Sequence, residues 1–209
     1  MDNNKFWDNI YKSKSAKKPT YDLWLDKHID ILEKNKDKEI IDLGCGAGGD
    51  TLYLTERGYK VIACDYSEEA LKILNEFIPE VKTTQLDLAK TLPFDKESIG
   101  LIIADLSLHY FNDETTKNIV KEIKRVLKPH GYLIGRVNSV NDFNYGARSG
   151  TEIEKNFYLT EEGYKRFFSE EDIHWYFEEF IIEVCSEKSI MKYGNEKRAF
   201  EFVIKKASR

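Results

Sequence analysis

The chain has 209 residues and a formal net charge of −5, from 32 Lys and Arg against 37 Asp and Glu, and 41% of its residues are hydrophobic. The charges are spread over both halves without long runs of one sign, which argues against nucleic acid as a partner because non-specific binding to it depends on clustered positive charge. No apolar run approaches the roughly 20 residues of a membrane-spanning helix, and the chain does not begin like a signal peptide, so we expect a cytoplasmic protein with no membrane partner.

The three cysteines, Cys45, Cys64 and Cys185, give no indication of disulfide or metal chemistry. They form no Cys-x-x-Cys pair and no metal-ligand spacing with the four histidines. We therefore predict reduced thiols and no metal site.

Strands and helices alternate along the first two thirds of the chain. Ser67 and Asn112 are typical helix N-caps, and Gly58 and Pro79 are residues at which predicted helices stop. In chain order we expect a helix over 21–34, a strand over 39–43, a helix from 51 to about 58 and a strand over 60–65. A helix from 67 to 79 and strands over 81–85 and 100–104 should follow. The pattern ends with a helix from 112, a turn over 128–131 and a strand over 132–137.

The last third of the chain has a different pattern. Residues 138–160 are rich in Asn, Gly and Ser and are expected to form a loop, followed by a helix over 169–177. Two strands, at about 178–185 and 198–205, must be antiparallel if only a short turn joins them. The alternating part predicts an α/β fold, a parallel sheet with helices on both faces and the C-terminal ends of its strands at one ligand-binding edge.

A glycine-rich segment follows the first of these strands. Residues 42–49 read Asp-Leu-Gly-Cys-Gly-Ala-Gly-Gly, which fits two cofactor patterns at once. Gly44 begins a Gly-x-Gly-x-x-Gly pattern typical of dinucleotide sites, while Asp42 begins an Asp-x-Gly-x-Gly-x-Gly pattern typical of S-adenosylmethionine sites. Glycines allow the backbone to approach a ligand closely, and the following helix offers unpaired N–H groups.

The acid before the glycines favours S-adenosylmethionine. Asp65, at the end of the second strand, suits the ribose of either cofactor and does not discriminate. A carboxylate at Asp42 would oppose a pyrophosphate but would stabilise the ammonium and sulfonium groups of S-adenosylmethionine. A Tyr-x-x-x-Lys pair, which a short-chain dehydrogenase would need, occurs only at Tyr193 and Lys197, between the last two predicted strands.

On these residues the chain resembles the class I S-adenosylmethionine-dependent methyltransferases, closely over 39–139. Segment 103–111 resembles the family's fourth-strand motif, and Leu-Lys-Pro-His-Gly at 127–131 is similar to its Leu-Lys-Pro-Gly-Gly turn. The tail, with Phe-Phe-Ser-Glu-Glu-Asp-Ile at 167–173, is similar to small tellurite-resistance-type methyltransferases.

The resemblance implies a Rossmann-like, doubly wound sheet of seven strands in the order 3-2-1-4-5-7-6, one of them antiparallel, with helices on both faces. It implies one domain over 1–209, with a helical cap at 1–38, a cofactor-binding core at 39–139, and a substrate loop and antiparallel strands at 140–209. It also implies S-adenosylhomocysteine as product and cofactor-binding roles for Asp42, Gly44, Cys45, Gly46, Gly48, Asp65, Tyr66, Asp87, Leu88 and Asp105.

The acceptor is expected to be a small molecule: a chalcogen or metalloid oxyanion, a thiol or a carboxylic acid. His109, just beyond the fourth strand, is the candidate base if the acceptor must lose a proton, with a structural role as the alternative. Arg136 or Arg148 would anchor an anionic acceptor. Further substrate contacts are predicted from Tyr21, Trp24, Tyr110 and Asn138.

Two other functions stay open at this point. The chain would be a regulatory subunit if it binds S-adenosylmethionine without catalysis, and an NAD-dependent oxidoreductase if the dinucleotide pattern is the meaningful one. We expect a monomer or a homodimer.

Overall fold

The protein, in a computed structural model that describes residues 3–13, 17–192 and 194–208, is built around one large twisted sheet. Within the described residues the strands are β1 Glu39–Leu43, β2 Lys60–Asp65, β3 Lys82–Gln85, β4 Ile99–Asp105, β5 Leu127–Asn138, β6 Thr151–Glu154, β7 Phe157–Thr160, β8 Gly163–Arg166, β9 Ile181–Lys192 and β10 Asn195–Lys205. The α-helices are α1 Asn3–Ser13, α2 Ile29–Glu33, α3 Gly49–Glu56, α4 Glu68–Phe77, α5 Asp113–Val126 and α6 Glu170–Tyr176.

The sheet order confirms the predicted fold class. Seven of the described strands pair in the order β3-β2-β1-β4-β5-β10-β9. Counted within this sheet alone, β10 is the seventh strand and β9 the sixth, so the order is the predicted 3-2-1-4-5-7-6. β10 pairs antiparallel with both β5 and β9, whereas the other neighbouring strands are parallel, so a single strand runs against the rest.

The packing of β4 explains why helices cover both faces. Its side chains alternate, so that Leu101 and Ile103 pack against Leu54 of α3 on one face, while Ile102 packs against Ile123 of α5 on the other. A strand buried on both faces reads as an unbroken apolar run, and this is why β4 could be predicted. None of the helices in the described parts of the chain is long and apolar enough to cross a membrane.

The expected loop over 138–160 is wrong in its second half. Residues from Thr151 onward form a small antiparallel sheet in the order β6-β7-β8, which continues to Arg166. Each of its strands has four residues. Strands this short show too little alternation to be distinguished from a polar loop.

The N-terminal region also differs from the prediction. α1 was not predicted, and the helix expected over 21–34 is a 3-10 turn over Trp24–His28 that continues into the five residues of α2. The carboxylate of Asp22 accepts the backbone N–H of Trp24 at 3.4 Å, which delays the helix start. Ser67 and Asn112 are the N-caps of α4 and α5, as predicted.

Candidate active site

A pocket of about 940 Å³ opens at the C-terminal ends of β1, β2, β4 and β5. α1 lies along it through Phe6 and Trp7, and β8 reaches it through Lys165. The predicted site residues that line the pocket are Tyr21, Asp42, Gly44, Cys45, Gly46, Gly48, Asp65, Tyr66, Asp87, Leu88, Asp105, His109, Tyr110, Arg136 and Asn138. Trp24 and Arg148 are the two predicted site residues that do not line it.

The glycine loop is shaped by contacts inside the protein. Gly44 has a φ of +80°, and a Cβ there would lie 2.3 Å from the Cβ of Ser107. The hydroxyl of Ser107 donates to the carbonyl oxygen of Leu43 at 2.6 Å, which fixes the loop after β4 against the end of β1. The N–H of Gly46 donates to Asp65 at 2.8 Å. Glycine is therefore required at position 44 by close packing as well as by a left-handed backbone.

Buried acids face one end of the pocket. Asp42 is 2% exposed, and the hydroxyl of Thr51 donates to it at 2.6 Å. Burial raises the pKa of Asp42 to about 7, and repulsion from Asp105 and Asp65 adds to the effect. Burial also raises the pKa of Asp50 well above its ordinary value, with further repulsion from Asp105 and Asp42. We name this end of the pocket, around Asp42, Asp50, Asp65 and Asp105, the acidic end.

Two predicted ribose and adenine contacts keep acceptor capacity. The carboxylate of Asp65 accepts the N–H groups of Gly46 and Ser67, both at 2.8 Å, which holds it at the end of β2. Asp87 accepts the N–H of Ala89 at 3.0 Å. Because a carboxylate has about four lone-pair sites, both acids can still accept hydrogen bonds from a ligand.

Arg136 binds acids of the protein itself. It is 1% exposed and donates to both carboxylate oxygens of Asp105, at 2.6 and 2.8 Å, and to Asp22 at 2.9 Å. Its guanidinium carbon lies 4.4 Å from the ring centre of Trp24, whose indole N–H donates to Asp50 at 2.9 Å. Arg136 and Trp24 thus hold acids of the acidic end in place through hydrogen bonds. Two carboxylates already compensate the positive charge of Arg136, which was expected to anchor an anionic acceptor.

Arg148 lies away from the pocket. It is exposed, and its guanidinium carbon is 5.4 Å from the ring centre of Phe143.

His109 is buried, with 2% of its surface exposed, and its Nδ1 accepts the backbone N–H of Asn138 at 3.4 Å. Burial lowers the pKa of His109 well below its ordinary value, and the positive charges of Lys197 and Lys165 lower it further. The ring is therefore neutral at pH 7. With Nδ1 accepting, its proton is on Nε2, so the ring offers a donor.

Sequence reasoning missed several pocket residues. Lys165, Lys192, Lys197 and Tyr145 all line the pocket, and the ammonium of Lys192 lies 3.8 Å from a carboxylate oxygen of Asp105. No local pattern marks them, because they come from three separate segments of the last third of the chain. The apolar residues of α1 were readable, since Phe6, Trp7, Ile10 and Tyr11 follow helical spacing.

Lys197 is also the second residue of the Tyr-x-x-x-Lys pair. It lines the pocket and donates to the buried carboxylate of Asp142 at 2.6 Å. Tyr193, the first residue of that pair, lies outside the described residues.

A group of potential metal ligands lies elsewhere. Ligand atoms of Glu170, His174 and Cys185, on α6 and β9, are within 4.8 Å of one another, and the first two residues are exposed. Exposed groups of this kind are common without a metal, and the prediction of no metal site stays a prediction.

The comparison with known proteins decides the family. The model of the methyltransferase domain family matches residues 41–135, from the second half of β1 to the middle of β5. Residues 41–135 belong to this methyltransferase domain family. The methyltransferase family predicted from the sequence is thereby confirmed over these residues.

Relatives agree with this assignment. An uncharacterized methyltransferase of Synechocystis sp. is 33% identical over 103 residues, which are 49% of this chain and 48% of the relative. This chain spans about half the length of the first curated relatives it matches.

Solved structures share the fold. A SAM-dependent methyltransferase of Methanosarcina mazei superposes with a TM-score of 0.72 at 21% identity, covering 82% of this chain and 93% of that one. TehB of Haemophilus influenzae gives a TM-score of 0.61 at 19% identity, covering 86% of this chain and 62% of that one. At such identities the likeness concerns the fold, and the tellurite-resistance-type layout stays a prediction.

The acidic end fits the cofactor of this methyltransferase family. S-adenosylmethionine carries an ammonium and a sulfonium, and buried carboxylates that repel one another are stabilised by a cation among them. The pyrophosphate of NAD would add negative charge beside Asp42 and Asp105. The residues present therefore suit S-adenosylmethionine, with Asp65 available to the ribose hydroxyls and Asp87 to the adenine amino group.

Proposed function

We propose that this protein transfers a methyl group from S-adenosylmethionine to a small-molecule acceptor. The observation that carries the proposal is the acidic end of the pocket, where Asp42 and Asp50 are buried and raised in pKa beside Asp105. A neutral or anionic ligand would leave this repulsion unrelieved, whereas a methyl sulfonium donor relieves it.

The chemistry supplied by the cofactor is an electrophilic methyl group: a bond to the acceptor atom forms, the sulfur–carbon bond breaks, and its electron pair is left on sulfur. The protein's own part is to orient the acceptor and exclude water. We propose Asp42, Asp65, Asp87 and the backbone around Gly44 and Gly46 as the groups that bind the donor.

A small acceptor suits a pocket that α1 helps to line. Trp7 of α1 lines the pocket and packs edge-on against Tyr110, with ring centres 5.6 Å apart. The ring centre of Tyr110 lies 4.4 Å from that of His109, so α1 contacts the loop that carries His109, and a macromolecular acceptor at His109 would compete with this contact.

We propose a donor role for His109 in place of the predicted base. Its Nδ1 already accepts a hydrogen bond, and its ring is neutral because burial lowers its pKa. A neutral ring protonated on Nε2 orients an acceptor oxygen and removes no proton.

The test is methyl transfer from S-adenosylmethionine with a radiolabelled methyl group to a panel of small acids, thiols and metalloid oxyanions. The proposal expects label in at least one acceptor, with S-adenosylhomocysteine formed in equal amount. The matched control is Asp65→Leu, which removes the ribose contact and should abolish transfer. Tight cofactor binding with no transfer to any acceptor would contradict the proposal and favour a regulatory subunit.

A further inference from the structure

The end of the pocket away from the acidic end combines several hydrogen-bond donors with one carboxylate, that of Glu162, which the ammonium of Lys165 contacts. It is formed by His109, Asn138, Tyr145, Lys165 and Lys197, which we name the donor end. The N–H of Arg166 donates to the carbonyl oxygen of His109 at 2.7 Å, and this bond ties β8 to the loop after β4. Lys165, the neighbouring residue in β8, is thereby held at the same end as His109.

The two lysines of the donor end are buried, and each of them contacts a carboxylate. The side chain of Lys165 is 10% exposed, and its ammonium contacts Glu162, whose side chain is largely exposed. The ammonium of Lys197 donates to Asp142 at 2.6 Å and lies 4.4 Å from the ring centre of Tyr145. The ammonium of Lys165 also donates to the carbonyl oxygen of Tyr145 at 3.5 Å. Since an ammonium has three N–H donors, each lysine keeps at least one donor for a ligand.

Asn138 offers an acceptor among these donors. It is 1% exposed, and its Oδ1 has no hydrogen-bond partner in the described structure. A buried carbonyl without a partner is destabilising, so this atom indicates a ligand that supplies an O–H or N–H group.

We infer that the donor end binds a small oxyanion that also carries a hydrogen-bond donor, with the anionic oxygens at Lys165 and Lys197 and the donor at Oδ1 of Asn138. A hydroxy-carboxylic acid has this chemistry, and so does a singly protonated inorganic oxyanion. The inference rests on the proposed function, because it names the class of the methyl acceptor.

An oxyanion acceptor also agrees with the state of His109. A carboxylate oxygen is ionised at neutral pH, so it forms its bond to the methyl carbon without losing a proton. The sulfur–carbon bond breaks, its electron pair stays on sulfur, and no base is needed. The neutral His109 ring, with its proton on Nε2, is suited to donate to such an oxygen.

The experiment measures thermal unfolding of the complex with S-adenosylhomocysteine, at constant ionic strength, in the presence of chosen probes. L-malate, citrate and salicylate are the hydroxy acids, malamide and salicylamide their neutral controls, succinate the acid without a hydroxyl, and selenite the inorganic oxyanion. We expect the hydroxy acids to raise the unfolding temperature and the amides to leave it unchanged, because only a ligand that binds the native state stabilises it.

Variants test which residues are responsible. Lys165→Gln should weaken binding of the hydroxy acids at least tenfold, and Lys165→Arg should restore it to within about threefold. Lys121→Gln, at an exposed position of α5, is the matched control and should change nothing. Lys165 is chosen because removing Lys197 would leave the buried carboxylate of Asp142 without a cation, with the backbone N–H of Arg198 as its remaining donor, and this would destabilise the fold itself.

The outcomes are distinguishable. Equal stabilisation by acids and amides, no stabilisation by any oxyanion, or an unchanged affinity in Lys165→Gln would overturn the inference. Stabilisation by selenite alone, lost in Lys165→Gln, would support an oxyanion site and assign it to inorganic ions. If S-adenosylhomocysteine itself fails to stabilise the protein, the proposed function fails first.

Discussion

The two ends of the pocket differ in how they are built. The acidic end draws its residues from the C-terminal ends of adjacent parallel strands and from the glycine loop after β1. The donor end combines a loop after β4, the last residue of β5, and side chains from β8 and β10. The acidic end, which is built on one local motif, can be predicted from the sequence. The donor end is assembled from distant segments, so its residues depend on the register of the whole sheet.

The largest loss of stability and of cofactor binding is expected at the glycine loop of the acidic end. Gly44 and Gly58 both have a φ of +80°, but a Cβ at Gly58 would have nothing within 4 Å, whereas at Gly44 it would meet Ser107. Gly58→Ala should destabilise the protein by about 1–2 kcal/mol, from the left-handed backbone alone. Gly44→Ala should lose about 1–3 kcal/mol more and abolish binding of S-adenosylhomocysteine. Urea unfolding measures both, and equal losses would refute the packing role of Gly44.

A smaller but specific effect is expected from Asp42→Asn. Loss of the carboxylate should weaken S-adenosylmethionine binding by about 10- to 100-fold, because the cation loses a buried counter-charge. The unliganded protein should be no less stable, since repulsion from Asp105 and Asp65 is relieved. Calorimetric titration gives the affinity, with the exposed Asp37→Asn as control. A variant that binds as tightly as the unaltered protein would remove Asp42 from the site.

The affinity for S-adenosylmethionine should depend on pH between pH 6 and pH 8, because Asp42 titrates in this range. The pKa of Asp42 is raised to about 7, so this carboxyl is mostly neutral at pH 6 and mostly ionised at pH 8. Because the cation binds the ionised form, affinity should rise by about tenfold over this interval, with release of protons on binding below pH 7. Titrations in buffers of different ionisation enthalpy would measure both. A flat profile in the unaltered protein would contradict the assignment, and Asp42→Asn should flatten it.

A moderate effect on cofactor affinity is expected from the contact between α1 and the loop after β4. Trp7→Ala removes the edge-on contact with Tyr110 and should weaken cofactor binding by about three- to tenfold, given that such ring pairs contribute about 0.5–1.5 kcal/mol. Trp175→Ala, at a half-exposed position of α6, is the control. No change in affinity would mean that α1 covers the pocket without supporting the ligand.

The smallest effect is expected where the two ends should be independent. Lys165→Gln should change the affinity for S-adenosylhomocysteine by less than about twofold, because Lys165 is paired with Glu162, whereas Asp105 of the acidic end is paired with Arg136. Fluorescence or calorimetric titration would measure it. A loss comparable to that of Asp42→Asn would mean that the pocket is one continuous electrostatic site.

The sequence could predict those features whose causes are local. The apolar run of β4, the N-caps Ser67 and Asn112, and the acids at strand ends each follow from a few neighbouring residues. The resemblance to a methyltransferase then supplied the strand order, which the structure confirms.

The remainder depended on contacts between distant residues. Arg136 was predicted as an anchor for an anionic acceptor, but it is paired with Asp22, 114 positions away, and with Asp105. The strands β6 to β8 are too short to show a period, and they alone bring Lys165 to the pocket. The helix α1 could have been predicted from its apolar spacing.

The most direct test of the account is a calorimetric titration of the unaltered protein with S-adenosylmethionine, S-adenosylhomocysteine and NAD under identical conditions. We expect both adenosyl compounds to bind, S-adenosylmethionine more tightly at pH 8 than at pH 6, and NAD not to bind. Binding of NAD with an affinity equal to or above that of S-adenosylmethionine would contradict the account.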